Sequence, residues 1–252
     1  MRYELLGPLR IVGEQTLIVT APKVENLLAG LVIRANQPIS TEELIDELWG
    51  NEPPRRARAA LHVYISHLRK NYVQPAVDGA VIRTHVQGYL LEVDKTAVDV
   101  HHLQTLHAEG RRFLDTEPER ALRAFTGAAA LFRGPVLAGI NNGLIVSTFA
   151  RWAEEFRLEC LEAIAHCSLR VGRHRELIGD LSGWVDEYPL NESLREQLML
   201  ALYRAGRRAE ALEVFQSGRQ VLREELGLDP RVTMRRLQFA ILESNADLAI
   251  AG

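Results

Sequence analysis

The chain has 252 residues, of which 47% are hydrophobic, and a formal net charge of −3. This length corresponds to one or two domains with sizeable cores, and no apolar run approaches the ~20 residues of a membrane span. Because the N-terminus MRYELLGPLR lacks the apolar core of a signal peptide, we expect a cytoplasmic protein that does not bind membranes.

The segments 3–12 and 15–19 alternate apolar and polar residues, which predicts two short strands. Gly7-Pro8 interrupts the first segment, so that strand is expected to lie at a sheet edge or to bend. From Lys23 to Ala35, apolar residues recur at i, i+3, i+4, i+7 and i+8, which predicts an amphipathic helix.

A second helix is predicted to start at Ser40 or Thr41 and to stop at Gly50. Glu43 stands at capping-box spacing from Ser40. The residues expected to face the core are Leu44, Ile45, Leu48 and Trp49.

A third helix, predicted from Pro53 to Tyr72, combines a buried stripe with a cationic outer side. Leu61, Ile65 and Leu68 recur at helical spacing and should face a core. No acidic residue lies between Glu52 and Asp78, whereas the basic residues are Arg55, Arg56, Arg58, Arg69 and Lys70. Such a helix suits a DNA major groove. The alternative is a solvated charged face.

The next elements form a hairpin. Segments 81–84 and 89–93 flank His85-Val86-Gln87-Gly88, where the predicted role of Gly88 is its freedom to take a positive φ. The order of strands, three helices and a hairpin predicts a winged helix-turn-helix domain over residues 1–95. The third helix would read DNA, and the hairpin would be the wing.

Residues 97–252 are predicted to form an all-α domain. The pair Gly172-Arg173 recurs as Gly206-Arg207 at an offset of 34 residues, the period of the tetratricopeptide repeat. Stacked helix pairs of this kind form a concave surface that usually binds a protein, with a rigid spacer or a dimer surface as alternatives. The predicted helices are Val98–Phe113, Pro118–Phe132, Ser147–Val171, His174–Tyr188, Asn191–Ala205, Arg208–Leu226 and Pro230–Leu248.

Three segments of the first domain resemble the OmpR/PhoB-type winged-helix family: STEELIDELWG (40–50), ALHVYISHLRK (60–70) and IRTHVQGYLLEV (82–93). The resemblance implies that the third helix lies in the major groove and the wing reaches the adjacent minor groove. By position it assigns groove contacts to His62, Tyr64, Ser66, His67, Arg69, Arg83, Thr84, His85 and Gln87. It assigns phosphate contacts to Arg55, Arg56, Arg58 and Lys70, and one of the first three could instead read a guanine.

Ser66 and His67 stand where members of that family often carry arginine, so the preferred DNA sequence stays open. Acidic side chains near DNA would repel it. We therefore expect the acidic face of the second helix to point away from DNA: Glu42, Glu43, Asp46 and Glu47.

The C-terminal part, over residues 189–230, resembles the bacterial transcriptional activation domain. Together with AVDVHHLQTL (97–106) and LFRGPVLAGI (131–140), it makes the chain similar to the Streptomyces antibiotic regulatory proteins of the short, two-domain type. The resemblance implies an activator of a secondary-metabolite gene cluster that binds direct repeats in promoter DNA. It also implies contacts with RNA polymerase, including its sigma factor. Direct repeats imply two protomers arranged head to tail.

The sequence does not favour an enzyme. It has no phosphate-binding glycine loop, paired metal ligands or nucleophile elbow, and we predict no cofactor and no metal. The doublet His101-His102 diverges by ~100° on a helix, which disfavours a shared metal. Cys160 and Cys167 are separated by about 10 Å along a predicted helix and are expected to be buried, reduced thiols.

Two other functions stay open. Residues 1–94 contain 10 Lys and Arg against 11 Asp and Glu, a net charge of −1, so the winged helix could serve a protein-binding scaffold. A ligand-gated regulator with a small molecule in the helical stack is the other alternative. DNA binding would depend steeply on salt, whereas a protein contact based on apolar burial would not.

Overall fold

The computed structural model of the protein describes residues 2–73, 79–140 and 143–244. The fold is mainly α with two small antiparallel sheets. A winged helix-turn-helix domain precedes a tetratricopeptide-like helical domain, as predicted. Packing groups the chain into two compact units, Met1–Leu106 with Gly127–Leu158 and His107–Thr126 with Glu159–Gly252. Because these units do not follow chain order, the division into domains 1–95 and 97–252 stays a prediction.

The N-terminal sheet contains β1 (Arg2–Glu4), β2 (Arg10–Val12) and β3 (Thr16–Leu17) in the order β1-β2-β3. The prediction of one bent strand over 3–12 is wrong, because its two halves pair with each other, with Tyr3 opposite Ile11. The chain reverses between them in a turn where the Gly7 amide donates to the Leu5 carbonyl at 2.9 Å. Pro8 has no amide hydrogen for a continuous ladder.

Three helices form the core of the winged-helix domain. They are α1 (Pro22–Ile33), α2 (Thr41–Trp49) and α3 (Ala57–Leu68), which a π-helical turn extends over Arg69–Val73. The helices pack pairwise on one another. Their buried side chains include Leu27, Leu28, Leu31, Leu44, Leu48, Leu61, Ile65 and Leu68.

The start of α2 confirms the predicted capping box. The Ser40 hydroxyl accepts a hydrogen bond from the Glu43 amide at 3.1 Å, and the Glu43 carboxylate accepts from the Ser40 amide at 3.0 Å. These reciprocal bonds satisfy two donors that a helix end would otherwise leave unpaired. The position of α2 is thus defined by its own sequence.

The wing is a hairpin of β5 (Val81–His85) and β6 (Gly88–Glu92), with β4 (Ile39–Ser40) on the other edge of β6. The predicted positive φ of Gly88 is wrong. Glycine is needed there for another reason: a Cβ atom on Gly88 would lie 1.9 Å from the Ile39 carbonyl oxygen of β4. The close approach of two strands, rather than the turn, requires this glycine.

The rest of the chain is helical, and most helix ends lie within three residues of their predicted positions. The helices are α4 (Asp99–Phe113), α5 (Pro118–Ala129), α6 (Leu144–Arg170), α7 (His174–Glu187), α8 (Glu192–Arg204), α9 (Arg208–Leu226) and α10 (Val232–Leu242). The predicted continuation of the last helix to Leu248 extends outside the described residues. No helix in the described ranges is both long and apolar enough to cross a membrane.

The helix ends confirm the 34-residue repeat. Gly172 and Gly206 adopt nearly the same left-handed conformation, with φ of 77° and 79°. The amide that follows each glycine closes the same six-residue bond at 2.9 Å, Arg173 to the Ser168 carbonyl and Arg207 to the Leu202 carbonyl. Such a bond, across a residue with positive φ, ends a helix and directs the chain into the next one. Neighbouring helices from α7 to α9 pack on one another, and α10 packs on α8 and α9.

Candidate nucleic-acid interface

The orientation of α3 defines the candidate interface. Its predicted stripe is confirmed, since Leu61, Ile65 and Leu68 are at most 1% exposed. The opposite side is exposed and is centred on Ala59, Val63, Ser66 and Lys70. Val63 is 64% exposed, and sequence reasoning missed it as a candidate. Val63 lies outside the buried stripe, and this position is the sequence signal that could have identified it. An apolar residue outside the core stripe of a helix is available for contact.

The segment before α3 and its first turn present cations to solvent. Arg55 and Arg56 are exposed and form no ion pair among the residues that the structure describes. Arg58 lies 3.4 Å from Glu42, with both side chains more than 70% exposed. An exposed pair at this distance contributes little energy. All three guanidinium groups can therefore turn towards an anionic partner.

The acidic residues of α2 do not form one face, so the predicted acidic face is wrong. Their orientation away from DNA stays a prediction. Glu42 lies beside Arg58 on the cationic side, and Glu43 is part of the capping box. Glu47 is only 2% exposed, and its carboxylate accepts from the amides of Ile145 and Val146 at 2.7 and 3.0 Å. The unpaired amides and positive dipole at the start of α6 stabilise this buried carboxylate.

Two contacts of aromatic side chains hold α3 against α2 and against strand β6. Tyr64 stacks on Trp49 of α2, with ring centroids 6.2 Å apart and an interplanar angle of 27°. The His62 Nδ1 atom is 2.8 Å from the Tyr89 hydroxyl of β6. Burial raises the pKa of Tyr89, and this outweighs the opposing charge of Arg69. Tyr64 is half-buried and braces α3, while His62 remains exposed beside the wing.

Ser66 and His67 are both exposed on α3. The Ser66 hydroxyl donates to the His62 carbonyl one turn earlier, at 2.9 Å. It therefore presents acceptor lone pairs to an approaching group rather than its hydrogen. The His67 ring meets Tyr72 edge to face at 5.7 Å.

Arg69 and Arg83 have partners within the domain. The Arg69 side chain donates from Nε to the Ile82 carbonyl and from an η nitrogen to the Thr84 hydroxyl, both at 3.0 Å. These bonds tie the end of α3 to strand β5. The Arg83 Nε lies 2.6 Å from the Glu92 carboxylate on the neighbouring strand. Sequence reasoning could not foresee either partner, because both depend on how the hairpin packs.

The tip of the wing is open to solvent. His85, Val86 and Gln87 are exposed, and Val86 is 95% exposed. Between this tip, α3 and the start of α2 runs a cleft whose lining includes Thr41, Glu42, Arg58, His62 and Gln87. Of the predicted residues, Arg58, His62, Thr84, His85 and Gln87 line this one cleft.

The described residues contain no group of three or more His, Cys, Asp and Glu side chains that could hold a metal ion. Cys160 and Cys167 are free and buried, which confirms that prediction, and burial raises the pKa of Cys160 to about 12. Such a thiol is protonated and unreactive at neutral pH.

A three-helix core with a solvent-exposed third helix and a hairpin wing, followed by stacked helix pairs, defines a winged-helix transcriptional regulator. Comparisons with known proteins agree. Residues 14–91 match the family model described as transcriptional regulatory protein, C terminal, and residues 98–242 match the bacterial transcriptional activator domain. The chain belongs to the Streptomyces antibiotic regulatory protein family of transcriptional activators.

Among its relatives, the regulatory protein DnrI of Streptomyces peucetius is 36% identical over 97% of this chain and 93% of its own length. The regulatory protein AfsR of Streptomyces coelicolor is also 36% identical, but this chain spans only 25% of it. A solved structure of Mycobacterium tuberculosis EmbR, in complex with a low affinity phosphopeptide, superposes with a TM-score of 0.87 at 31% identity. That match covers 96% of this chain and 65% of the EmbR chain.

Proposed function

We propose that the protein is a sequence-specific DNA-binding activator of a secondary-metabolite gene cluster. It binds direct repeats in promoter DNA through α3 and the wing, with two protomers arranged head to tail. Its helical domain recruits RNA polymerase, including the sigma factor. Family membership supports the class of function, and the exposed side of α3 supports the mode of DNA binding.

The observation that carries the proposal is the cationic stretch that contains α3, with no acidic residue between Glu52 and Asp78. Arg55, Arg56 and Lys70 are exposed and lack an ion pair within the described ranges, although residues 1–94 are net negative. Cations held on one side create a local positive potential that the total charge does not reveal. This arrangement suits a polyanion, whereas an apolar protein contact would make no use of the positive charge.

The proposed DNA contacts are of two kinds, those to phosphates and those to base edges. Arg55, Arg56, Arg58 and Lys70 contact phosphates, since their positions flank the exposed side of α3. His62, Ser66 and His67 face base edges, and Val63 joins them because an apolar side chain can contact a thymine methyl group.

The wing contributes mainly its tip, His85 and Gln87. Tyr64, Thr84, Arg69 and Arg83 act at least partly by positioning, because each has a partner within the domain.

The experiment selects binding sites from random duplex DNA with the whole protein and measures affinity for the selected site over a range of salt. A variant with Arg55→Ala, Arg56→Ala and Lys70→Ala should lose about 2.7 units of the slope of log K against log salt, at about 0.9 per phosphate. Run-off transcription with purified RNA polymerase then tests activation from that site.

The matched control is Arg123→Ala, which removes an exposed cation from α5 and should leave the slope unchanged. An unchanged slope in the triple variant would overturn the assigned surface. A selection that yields no preferred sequence would favour the scaffold instead. Preferred sites that leave transcription unchanged would refute activation while retaining DNA binding.

A further inference from the structure

A second cationic site lies in the same compact unit, away from α3 and the wing. It is a cleft of about 580 Å³ between strands β1 and β2, the start of α4 and the segment 130–133. Pockets for small molecules usually measure about 300–1,000 Å³. The cleft is therefore large enough for a small organic molecule.

Three guanidinium groups converge on one buried carboxylate in this cleft. Glu4 is 3% exposed, and it accepts from the Nε atoms of Arg2 at 2.7 Å and Arg10 at 2.5 Å. The Nε atom of Arg133 lies 3.2 Å from the same carboxylate. Each arginine thus turns its Nε edge to Glu4.

The η nitrogens of Arg2 and Arg10 are left for another acceptor. Within the described residues neither side chain makes a further hydrogen bond, whereas an Arg133 η nitrogen donates to the Pro8 carbonyl at 3.2 Å. Guanidinium groups fixed in this way present planar pairs of donors, which match carboxylate and phosphoryl oxygens.

The positive charge of the cleft exceeds its negative charge. Asp99 is the second carboxylate, but its oxygens accept the amides of Leu5 and Leu6 at 2.9–3.0 Å. Burial lowers the pKa of Arg133, and the positive charge of Arg10 lowers it further. Three cations therefore face two carboxylates. The three arginines already share the lone pairs of Glu4, and the Asp99 carboxylate is turned to the backbone amides.

The rest of the lining adds imidazole groups and an apolar side. His101 and His102 supply the imidazoles, and Ala130 and Leu131 supply apolar surface. The Thr96 and Thr105 hydroxyls donate to the Asp94 carboxylate and the His101 carbonyl instead. The histidine doublet cannot easily share a metal, but both residues line this cleft. An imidazole N–H is suited to donate to the oxygens of an anion.

We propose that this cleft binds a small anionic molecule through a phosphoryl or carboxylate head group that carries at least two negative charges. The η nitrogens of Arg2 and Arg10 hold the head group, His102 donates to it, and the body of the molecule lies against Ala130 and Leu131. The site does not depend on the proposed DNA contacts, so either can fail alone.

The experiment is calorimetric titration of the full chain with pyrophosphate and, separately, with citrate, at matched ionic strength. One or both should bind with one site per protein. Arg2→Ala should weaken binding at least tenfold, while Arg34→Ala, the removal of an exposed arginine from the same unit, should not. Stronger binding of pyrophosphate assigns a phosphoryl ligand, and stronger binding of citrate assigns a carboxylate ligand.

A second variant, His102→Ala, keeps the test independent of folding, because His102 is exposed and lies outside the Glu4 network. It should weaken binding several-fold, with an unchanged melting temperature in the absence of anion. The proposal is overturned if neither anion binds at 10 mM, on the order of the weakest useful small-molecule affinities. It is also overturned if binding survives both variants but is lost in the triple variant of α3, which would place the anion on the DNA-binding side.

Discussion

Two cationic regions of the N-terminal unit use arginine in opposite ways. On the outer side of α3, Arg55 and Arg56 are exposed and make no ion pair within the described ranges. Around Glu4, three arginines surround a carboxylate with 4% of its side chain exposed. Exposed charges contribute little to stability and remain available for a partner, whereas charges on a buried carboxylate hold the fold together.

The arginines at the wing are intermediate between these two uses of arginine. Arg69 and Arg83 are cationic and close to the candidate interface, but each binds a neighbour in the hairpin or across it. Counting basic residues therefore overestimates the surface that is free to bind DNA. The partner of each guanidinium decides its role.

The largest expected effect is on stability, from Glu4→Gln. The variant loses the charge that the three arginines share, and the free energy of unfolding should fall by about 1.5–3 kcal/mol at pH 7. DNA affinity should change little once folded protein is compared. Urea unfolding followed by circular dichroism measures the loss, and an equal stability of both proteins at pH 7 would contradict the structural role of the cluster.

The same variant makes a pH prediction. Burial opposes ionisation of Glu4, but the hydrogen bonds and charges of Arg10 and Arg2 prevail and hold the pKa of Glu4 below its ordinary value. Its stabilising contribution is therefore present above the ordinary glutamate pKa of about 4.3 and is lost as pH falls through the lower, folded-state pKa. The stability difference between the two proteins should shrink in that acidic range and stay constant from pH 6 to 8.

The next largest effect is expected from Gly88→Ala, which disturbs the packing of the wing. The new Cβ atom would lie 1.9 Å from the Ile39 carbonyl oxygen, so β4 and β6 must separate. Overpacking of this kind costs about 1–3 kcal/mol. Hydrogen exchange should show faster exchange of the β6 amides, and DNA affinity should fall because the wing is displaced while the cations of α3 stay in place.

The matched control for that change is Gly179→Ala in α7, where, apart from the neighbouring backbone of the helix itself, no atom of the described residues lies within 4 Å of the added Cβ. It should be neutral or slightly stabilising, because alanine favours a helix more than glycine does. If Gly88→Ala behaves like this control, then contact with β4 does not explain the glycine.

The smallest expected effects come from Arg69→Ala and Arg83→Ala. Loss of the bonds to Ile82 and Thr84 should lower the free energy of unfolding by about 0.5–1.5 kcal/mol. Arg83→Ala removes a similar cation whose ion pair with Glu92 is largely exposed, and it should cost less than about 1 kcal/mol. Thermal unfolding compares the two, and a larger loss in Arg83→Ala would reverse the proposed roles.

Much of the fold could be predicted because its signals are local. The period of apolar residues placed α3 and its buried stripe, and Ser40 with Glu43 placed the start of α2. The 34-residue offset predicted the repeated helix ends at Gly172 and Gly206. Helix periodicity and capping depend on residues within one or two turns, so a sequence alone can reveal them.

The candidate site was predicted as a surface of α3 and the wing, and the structure brings Arg58, His62 and the wing tip around one cleft. The sequence placed the cations on these elements. It could not show that Tyr64 stacks on Trp49, that Arg69 serves the hairpin, or that Val63 is exposed. These outcomes depend on the packing of one element against another.

The sequence by itself determined most of the helix ends, the repeat and the family, because each is encoded in neighbouring residues or in a pattern along the chain. Only the tertiary structure decided which charges are free. Glu47 is buried because it meets the amides of Val146, 99 residues away, and Arg133 meets Glu4 across an even longer stretch of chain. The role of a charged side chain depends on the partner that folding brings to it, and that partner cannot be inferred from the local sequence.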